Sequence, residues 1–283
     1  MKRFCVIFSF VVLLFGTATA TKRALVIGIG NYPANSGWAK INGDKDVPLV
    51  RDMLLVNGFQ KQNIVELVNA GATAAAIRRE FDALVRKASE GDVIYIHFSG
   101  HGQRITDLQG DEQDGFDEAW VPVDAKFAYE KGKYEGQNHI LDDQLNKWLS
   151  QLRAKVGEKG KITVVADACH SGGGSRNVKK QSSYVVRGAS DNFVIPGTVP
   201  AFKGEVGVID WTFISACKSN QSNYEYKGTG SLTYALVQQK HKLSTITSKQ
   251  VHSSIRTTIT NIIAFTQTPV LEASTTSSQQ SIF

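Results

Sequence analysis

The sequence ITVVADACHSGGG, residues 162–174, decides the fold of this chain. Its first five residues are apolar or β-branched without alternation, which is typical of a strand buried on both faces of a parallel sheet. A carboxylate, a thiol and an imidazole follow at once, in Asp167, Cys169 and His170, and a glycine run comes after them. Open α/β sheets place their ligand sites where such strands end. We therefore predict a functional site directly after this strand.

A second stretch repeats this design. Residues 93–98, VIYIHF, form another apolar strand, and Ser99, Gly100 and His101 follow it. A free thiol has a pKa of about 8.5 and is little ionised at neutral pH, so a thiol nucleophile needs a nearby imidazole. If the two strands are neighbours, Cys169 and His101 meet, and we predict Cys169 as nucleophile with His101 as general acid and base. His170 is the competing imidazole, but adjacent side chains usually point apart.

The order of the other elements indicates an α/β fold. Strands are predicted at residues 24–29 and 63–68, with helices at 47–55 and 73–88 between the strands, and this alternation argues for a parallel sheet covered by helices. A helix at 140–152, a strand at 211–216 and helices at 230–241 and 248–265 follow, before a short apolar pair at 270–271. We interpret residues 103–123 as an acidic loop and residues 172–202 as a long exposed connection.

The motifs HFSGHG, residues 97–102, and VVADACHSG, residues 164–172, resemble those of the caspase-like clan of cysteine peptidases. The metacaspase and bacterial caspase-like branch, which carries SGHG and D-x-C-H-S-G, is the most similar. The resemblance extends over residues 22–283. It implies a caspase-like three-layer sandwich, with a mostly parallel central sheet of about six strands and helices on both faces. It also implies a cysteine endopeptidase, and we expect one domain at residues 21–283.

The resemblance also assigns roles around the catalytic pair. It implies that the backbone N–H groups of Cys169 and Gly102 hold the oxyanion, and that Ser99 lines the primary specificity pocket. Asp167 stands where animal caspases carry a neutral glutamine, and a carboxylate beside the pocket attracts Arg or Lys. Asp46 either lines the same pocket, as the resemblance implies, or caps the helix that follows it. We expect cleavage of protein or peptide substrates after Arg or Lys.

The acidic residues between positions 107 and 124 are compatible with either a solvated loop or a calcium site, because hard cations take carboxylate and carbonyl oxygens. The seven carboxylates of this stretch are Asp107, Asp111, Glu112, Asp114, Asp117, Glu118 and Asp124. The resemblance implies calcium binding by Asp117 together with Asp142 and Asp143, although the last two also suit the positive end of a helix dipole. A further ligand of the family has no acidic counterpart, since residues 171–178 contain Arg176 instead. We therefore expect that no cofactor is required and that Ca²⁺ is an optional activator.

The connection at residues 172–202 is polar, glycine-bearing and basic, so self-cleavage is expected within it. Lys179 and Lys180 form the preferred cleavage site, and Arg187 is the second choice. The alternative is a solvated loop that is never cut.

The amino terminus predicts export. Lys2 and Arg3 precede an apolar run at residues 4–15, and Ala18 to Ala20 form a small-residue cleavage site, so residues 1–20 have the pattern of a secretory signal peptide. The apolar run is too short to span a bilayer. The net charge of +6 is dispersed, which argues against nucleic-acid binding. We expect a secreted or periplasmic monomer without a membrane span.

Two other interpretations use the same cysteine. A disulfide between Cys169 and Cys217 would turn the chain into a catalytically silent caspase-like binding module, as an oxidising compartment permits. A zinc site built from Cys169, His170, His101 and Asp167 lacks the compact spacing of known zinc motifs.

Overall fold

The computed structural model describes residues 20–169, 184–189, 191–197, 202 and 209–283. The predicted signal peptide up to residue 19 lies outside these described residues, as do His170, Arg176, Lys179 and Lys180.

Strands and helices alternate from residue 22 to residue 99, as predicted. In chain order they are β1 (Lys22–Gly28), α1 (Gly43–Val56), β2 (Ile64–Val68), α2 (Ala74–Lys87), β3 (Val93–Ser99), β4 (Gly102–Thr106), β5 (Phe116–Trp120), β6 (Ile140–Leu141), α3 (Asp142–Val156), β7 (Lys161–Asp167), β8 (Thr212–Ser215), β9 (Glu225–Tyr226), β10 (Thr229–Gly230), α4 (Ser231–Val237), α5 (Ser248–Ile262), β11 (Val270–Ala273) and α6 (Thr275–Gln279). The longest helices, α3 and α5, have 15 residues each. Within the described part of the chain, no helix combines the length and the apolar character that a membrane crossing needs.

The central sheet has six strands in the order β11-β8-β7-β3-β1-β2. Every pair in it is parallel except β11 with β8. The inner strands β3 and β7 are buried almost throughout, which explains their unbroken apolar sequences. The predicted sheet of about six mostly parallel strands is confirmed.

Helices cover both faces of this sheet. On one face α2 and α3 pack together, and the rings of Phe81 and Trp148 stack with centroids 4.4 Å apart. On the other face α1, α4 and α5 contribute a separate core that includes Met53, Leu232 and Ile255. Two hydrophobic cores on either side of one sheet confirm the predicted three-layer α/β sandwich.

The acidic stretch after β3 differs from the prediction of a loop. Strands β4 and β5 pair antiparallel, from Gly102 opposite Trp120 to Thr106 opposite Phe116, and β6 extends them to a three-stranded sheet. The sequence of β5, FDEAW, alternates in burial, so that Asp117 points inward together with Ala119. Because a carboxylate stands both at the inward position 117 and at the outward position 118, the sequence alone does not show this alternation.

Candidate active site

The two predicted catalytic residues follow neighbouring strands. β3 and β7 pair in parallel, with Ser99 opposite Asp167 at their carboxyl ends. His101 and Cys169 are 2% and 1% exposed. The carboxyl edge of the sheet therefore holds both residues, as a shared site requires.

His101 is held in one orientation. Its Nε2 lies 2.9 Å from the carbonyl oxygen of Ala39, which can only accept, so Nε2 carries the proton and Nδ1 is the basic nitrogen. Nδ1 has no hydrogen-bond partner among the residues that the structure describes. The indole of Trp38 stacks on the imidazole at 4.8 Å. Burial lowers the pKa of His101 to about 4, so the ring is neutral at physiological pH.

Both buried thiols point to the same carbonyl oxygen. The Sγ of Cys169 lies 2.8 Å from Gln221 O, and the Sγ of Cys217 lies 3.2 Å from it. The hydrogen bond with Cys169, together with burial, raises the pKa of the Cys217 thiol well above its usual value. Neither thiol forms a disulfide in this structure, so the arrangement behind the binding-module interpretation is not the one observed.

Asp46 lies at the start of α1 and is fully buried. The hydroxyl of Ser99 donates to its Oδ2 at 2.8 Å, and the N–H of Gly230 donates to its Oδ1 at 3.1 Å. Burial raises the pKa of Asp46, while the nearby guanidinium of Arg187 lowers it. Of the two roles predicted for Asp46, these contacts favour the pocket over the cap.

Asp167 forms the opposite wall of the same pocket. Its Oδ1 accepts from the side-chain amide of Asn223 at 2.7 Å, and its Oδ2 accepts from the N–H and the hydroxyl of Thr233 at 2.7 and 2.6 Å. Gly230 completes the wall, because a Cβ there would lie 2.0 Å from Asp167 Oδ2. The carboxylate is thus fixed in position before any ligand enters.

The side chain of Arg187 occupies this acidic pocket. Its Nη1 lies 2.6 Å from Asp46 and 3.6 Å from Asp167, and its Nε lies 3.0 Å from Glu225 Oε1. Burial alone would lower the pKa of Arg187, but the three carboxylates raise it above its usual value. The expectation that this part of the connection is exposed is therefore wrong at Arg187, which is 0% exposed. Its charge can be buried because three carboxylates surround it.

The backbone around Arg187 runs through the site in an extended form. Its hydrogen bonds join Arg187 N to Asn223 O at 3.0 Å, Glu225 N to Val185 O at 2.9 Å and Ala189 N to Gly102 O at 3.1 Å. The segment at residues 185–189 therefore lies between the start of β4 and the stretch that leads into β9, paired with both as an added strand would be.

The peptide bond that follows Arg187 lies next to the predicted nucleophile. Gly188 is the bridge partner of Cys169. A Cβ on Gly188 would lie 2.7 Å from the carbonyl oxygen of Cys169 and 2.9 Å from its Cβ. Only glycine fits this approach without displacing the residue that carries the thiol.

The sequence analysis missed Glu225 as a pocket residue. It lies more than a hundred residues after His101, at the first position of the two-residue strand β9, and nothing around it in the sequence marks a site. A search for acidic residues in the last third of the chain would have found it only as one of several carboxylates.

A group of carboxylates forms a second candidate site, away from the thiol. Asp107, Asp111 and Asp117 each offer a carboxylate oxygen within 4.8 Å of the others. Burial and the charges of Asp142 and its neighbours raise the pKa of Asp117 to about 8, and burial with the charge of Asp143 raises that of Asp142 to about 7. Burial and the charge of Asp111 raise the pKa of Asp143 as well.

The predicted metal ligands Asp117, Asp142 and Asp143 are thus near one another, and Asp107 and Asp111, which were only noted as acidic, join them. Asp117 is 1% exposed, and its Oδ1 has no hydrogen-bond partner within the described ranges. An all-oxygen group with an unpaired buried acceptor has the chemistry that a hard divalent cation requires.

Comparison with known proteins shows metacaspases among the proteins similar to this chain. Metacaspase-1B of Aspergillus fumigatus is 35% identical over 168 residues, and Metacaspase-7 of Arabidopsis thaliana is 36% identical over 168 residues. Each alignment covers 56% of this chain but only 37% of the relative, so the chain spans well under half the length of these curated relatives.

A solved structure shows the same fold. The crystal structure of protein GSU0716 from Geobacter sulfurreducens superposes with a TM-score of 0.65 at 22% sequence identity, covering 92% of this chain and 97% of that one. The model of the metacaspase, peptidase C14 domain matches residues 22–175, which include His101, Cys169 and the pocket residues Asp46, Ser99 and Asp167. Because this match covers more than half of the chain and includes both predicted catalytic residues, the chain belongs to the metacaspase family of caspase-like cysteine peptidases.

Proposed function

We propose that this chain is a cysteine endopeptidase that cuts peptide bonds after basic residues. One observation carries the proposal: a basic side chain, Arg187, fills an acidic pocket beside Cys169, and the backbone around it pairs with both walls of the site. Extended peptides bind by adding a strand in this way, with side-chain pockets supplying specificity.

The residues of the site support a thioester mechanism. Cys169 gives its proton to Nδ1 of His101, and the thiolate attacks the carbonyl carbon of the basic residue. The N–H groups of Cys169 and Gly102 stabilise the negative charge on the tetrahedral oxygen. The imidazolium then protonates the leaving amine, and a water molecule, deprotonated by the same ring, hydrolyses the thioester.

We extend the proposal to self-processing at the bond between Arg187 and Gly188. This bond has the arginine side chain seated in the pocket and lies next to Cys169. The Lys179–Lys180 bond, preferred from the sequence, has no such support, since it lies outside the described residues. While the segment is seated, it excludes a second peptide from the same pocket. A single cut by Cys169 after Arg187 would free one end of the segment, so that the segment could leave the pocket.

The specificity test uses purified protein and a mixed peptide library, with the cut sites determined by mass spectrometry. Cuts after Arg or Lys support the proposal, and cuts after Asp or Glu refute the pocket assignment. Cys169→Ala is the control for contaminating peptidases, because it keeps the pocket but lacks the nucleophile.

The self-processing test determines the new amino terminus of any fragment in fresh wild-type protein. A fragment that begins at Gly188 is expected, while Cys169→Ala stays whole. Arg187→Gln should stop this cut and Lys180→Gln should not. The reverse pattern would move the processing site to the lysine pair.

Calcium activation and export are further parts of the proposal. The carboxylate group of Asp107, Asp111, Asp117, Asp142 and Asp143 would hold Ca²⁺, and the ion would neutralise charges that now repel one another. Export rests on residues 1–20. Its test is the amino terminus of protein collected outside the cytoplasm, which should be Thr21.

A further inference from the structure

We infer that Glu225 makes the acidic pocket select arginine over lysine. The inference rests on the proposed peptidase function and concerns which of the two basic residues the same pocket takes. Asp46 and Asp167 provide the negative charge that either residue needs, whereas Glu225 contacts an atom that only arginine has.

Different nitrogens of the guanidinium meet different carboxylates. Nη1, at the tip of Arg187, lies 2.6 Å from Asp46 Oδ2. Nε, nearer the backbone, lies 3.0 Å from Glu225 Oε1 and donates to it. Glu225 therefore binds the side of the ligand, while Asp46 binds its end.

Lysine cannot make the second contact. Its side chain has a methylene group at the position of arginine Nε, so Glu225 would face carbon instead of a donor. Its ammonium group would lie near the position of the guanidinium carbon, one bond short of Nη1 and of Asp46. A buried carboxylate that loses its partner keeps the cost of its desolvation, which makes lysine the poorer ligand.

Glu225 is held in place independently of the ligand. The backbone N–H of Asn42 donates to its Oε1 at 2.6 Å, and the side-chain amide of Asn42 donates to its Oε2. Glu225 is only 6% exposed. The carboxylate therefore cannot rotate away to avoid a lysine side chain, and this rigidity turns a favourable contact into selection.

The test compares two peptides that differ only in Arg or Lys at the cut site. All variants carry Arg187→Ala, so that no chain segment competes for the pocket. In this background we expect a higher kcat/KM for the Arg peptide. Adding Glu225→Gln should lower kcat/KM for the Arg peptide by about 10- to 100-fold and should not lower that for the Lys peptide, because lysine leaves this carboxylate without a partner. Asp46→Asn is the matched comparison and should lower both.

Two results would overturn the inference: an equal loss for both peptides in Glu225→Gln, or a background enzyme without preference for Arg. Titration of Cys169 with a thiol-directed inhibitor counts the competent molecules in each preparation. In the Arg187→Ala background without a further substitution, inhibition by butylguanidine and by pentylamine is compared, and butylguanidine should inhibit at a concentration at least about tenfold lower. If neither peptide is cut by the background enzyme, the proposed function fails, and calorimetric binding of butylguanidine and pentylamine to the background protein and to its Glu225→Gln variant still tests the inference, because only butylguanidine binding should weaken in the variant.

Discussion

Arg187 Nη1 lies 2.6 Å from Asp46 Oδ2, and both side chains are fully buried although 141 residues separate them in the sequence. The chain thus contains both an acidic pocket and the basic side chain that fills it. Removing one partner of a buried ion pair leaves an uncompensated charge, so pocket and segment stabilise each other. A peptide substrate of the proposed peptidase would have to replace Arg187 before it could enter the pocket.

The catalytic pair gives the first prediction. Cys169→Ala should abolish peptidase activity, and His101→Ala should leave at most a trace, because one residue forms the covalent bond and the other moves the proton. Hydrolysis of an Arg peptide at fixed enzyme concentration checks both. Normal turnover by Cys169→Ala would end the cysteine-peptidase proposal.

The acidic pocket gives the second prediction. Asp167→Asn should lower kcat/KM for basic substrates by roughly 30- to 1,000-fold, because a buried cation loses a charged partner. The matched control is Asp52→Asn on the exposed side of α1, which should behave as wild type. An unchanged kcat/KM in Asp167→Asn would remove this residue from the pocket.

Arg187 has opposite effects on stability and on initial activity. In a Cys169→Ala background, Arg187→Gln should lower the free energy of unfolding by about 3 kcal/mol, because three carboxylates lose their cation. With Cys169 intact, the same change should raise the initial rate on an added peptide, because the pocket is open. Urea denaturation and a progress curve measure the two effects. Arg51→Gln, which breaks a partly exposed ion pair with Glu66, should do neither.

Calcium should raise both the melting temperature and the rate. Burial and the charges of neighbouring carboxylates raise the pKa of Asp117 to about 8, and a bound divalent cation removes the repulsion among these charges. Thermal melts of Cys169→Ala, and rates of the wild type, are compared in millimolar Ca²⁺ and in chelator. Asp117→Asn should lose the response, whereas Asp210→Asn at a half-exposed position should keep it. Identical melts and rates in both media would exclude calcium binding.

The pH dependence of stability should reflect His139. Burial lowers its pKa to about 4, and its ring nitrogens bond Tyr134 and Gln103 in the neutral form. The unfolded chain takes up a proton below about pH 6.5, so this contribution is present above that pH and is lost as the pH falls toward 4. The stability difference between wild type and His139→Gln should therefore shrink by about 1.4 kcal/mol for each pH unit below 6.

Urea denaturation between pH 7 and pH 5 measures this slope. The exposed His241, changed to Gln in the same way, is the control. A difference that stays constant with pH would show that His139 can be protonated inside the fold.

Much of the central sheet could be predicted from sequence because its strands are unbroken apolar runs, and the Cys and His motifs stand directly at two strand ends. Arg187 could not be placed, because a basic residue in a polar, glycine-bearing stretch normally lies in water. Arg187 can be buried because the fold brings Asp46, Asp167 and Glu225, which are distant in the sequence, into contact with its guanidinium group. The β4–β5 pair was missed for a related reason, since its inward residue Asp117 and its outward residue Glu118 are both carboxylates, and the sequence shows no alternation between them.

The pairing of β7 with β8 determines what a cut after Arg187 would leave behind. β7 lies before the cut and β8 after it, and they are neighbours in the interior of the central sheet. Asp46 and Asp167 would belong to one fragment and Glu225 to the other. The cut molecule would therefore remain a two-chain enzyme whose halves co-elute in native buffer and separate only in denaturant. The fragment interface would be the hydrophobic core itself, and neither half expressed alone would have a complete specificity pocket.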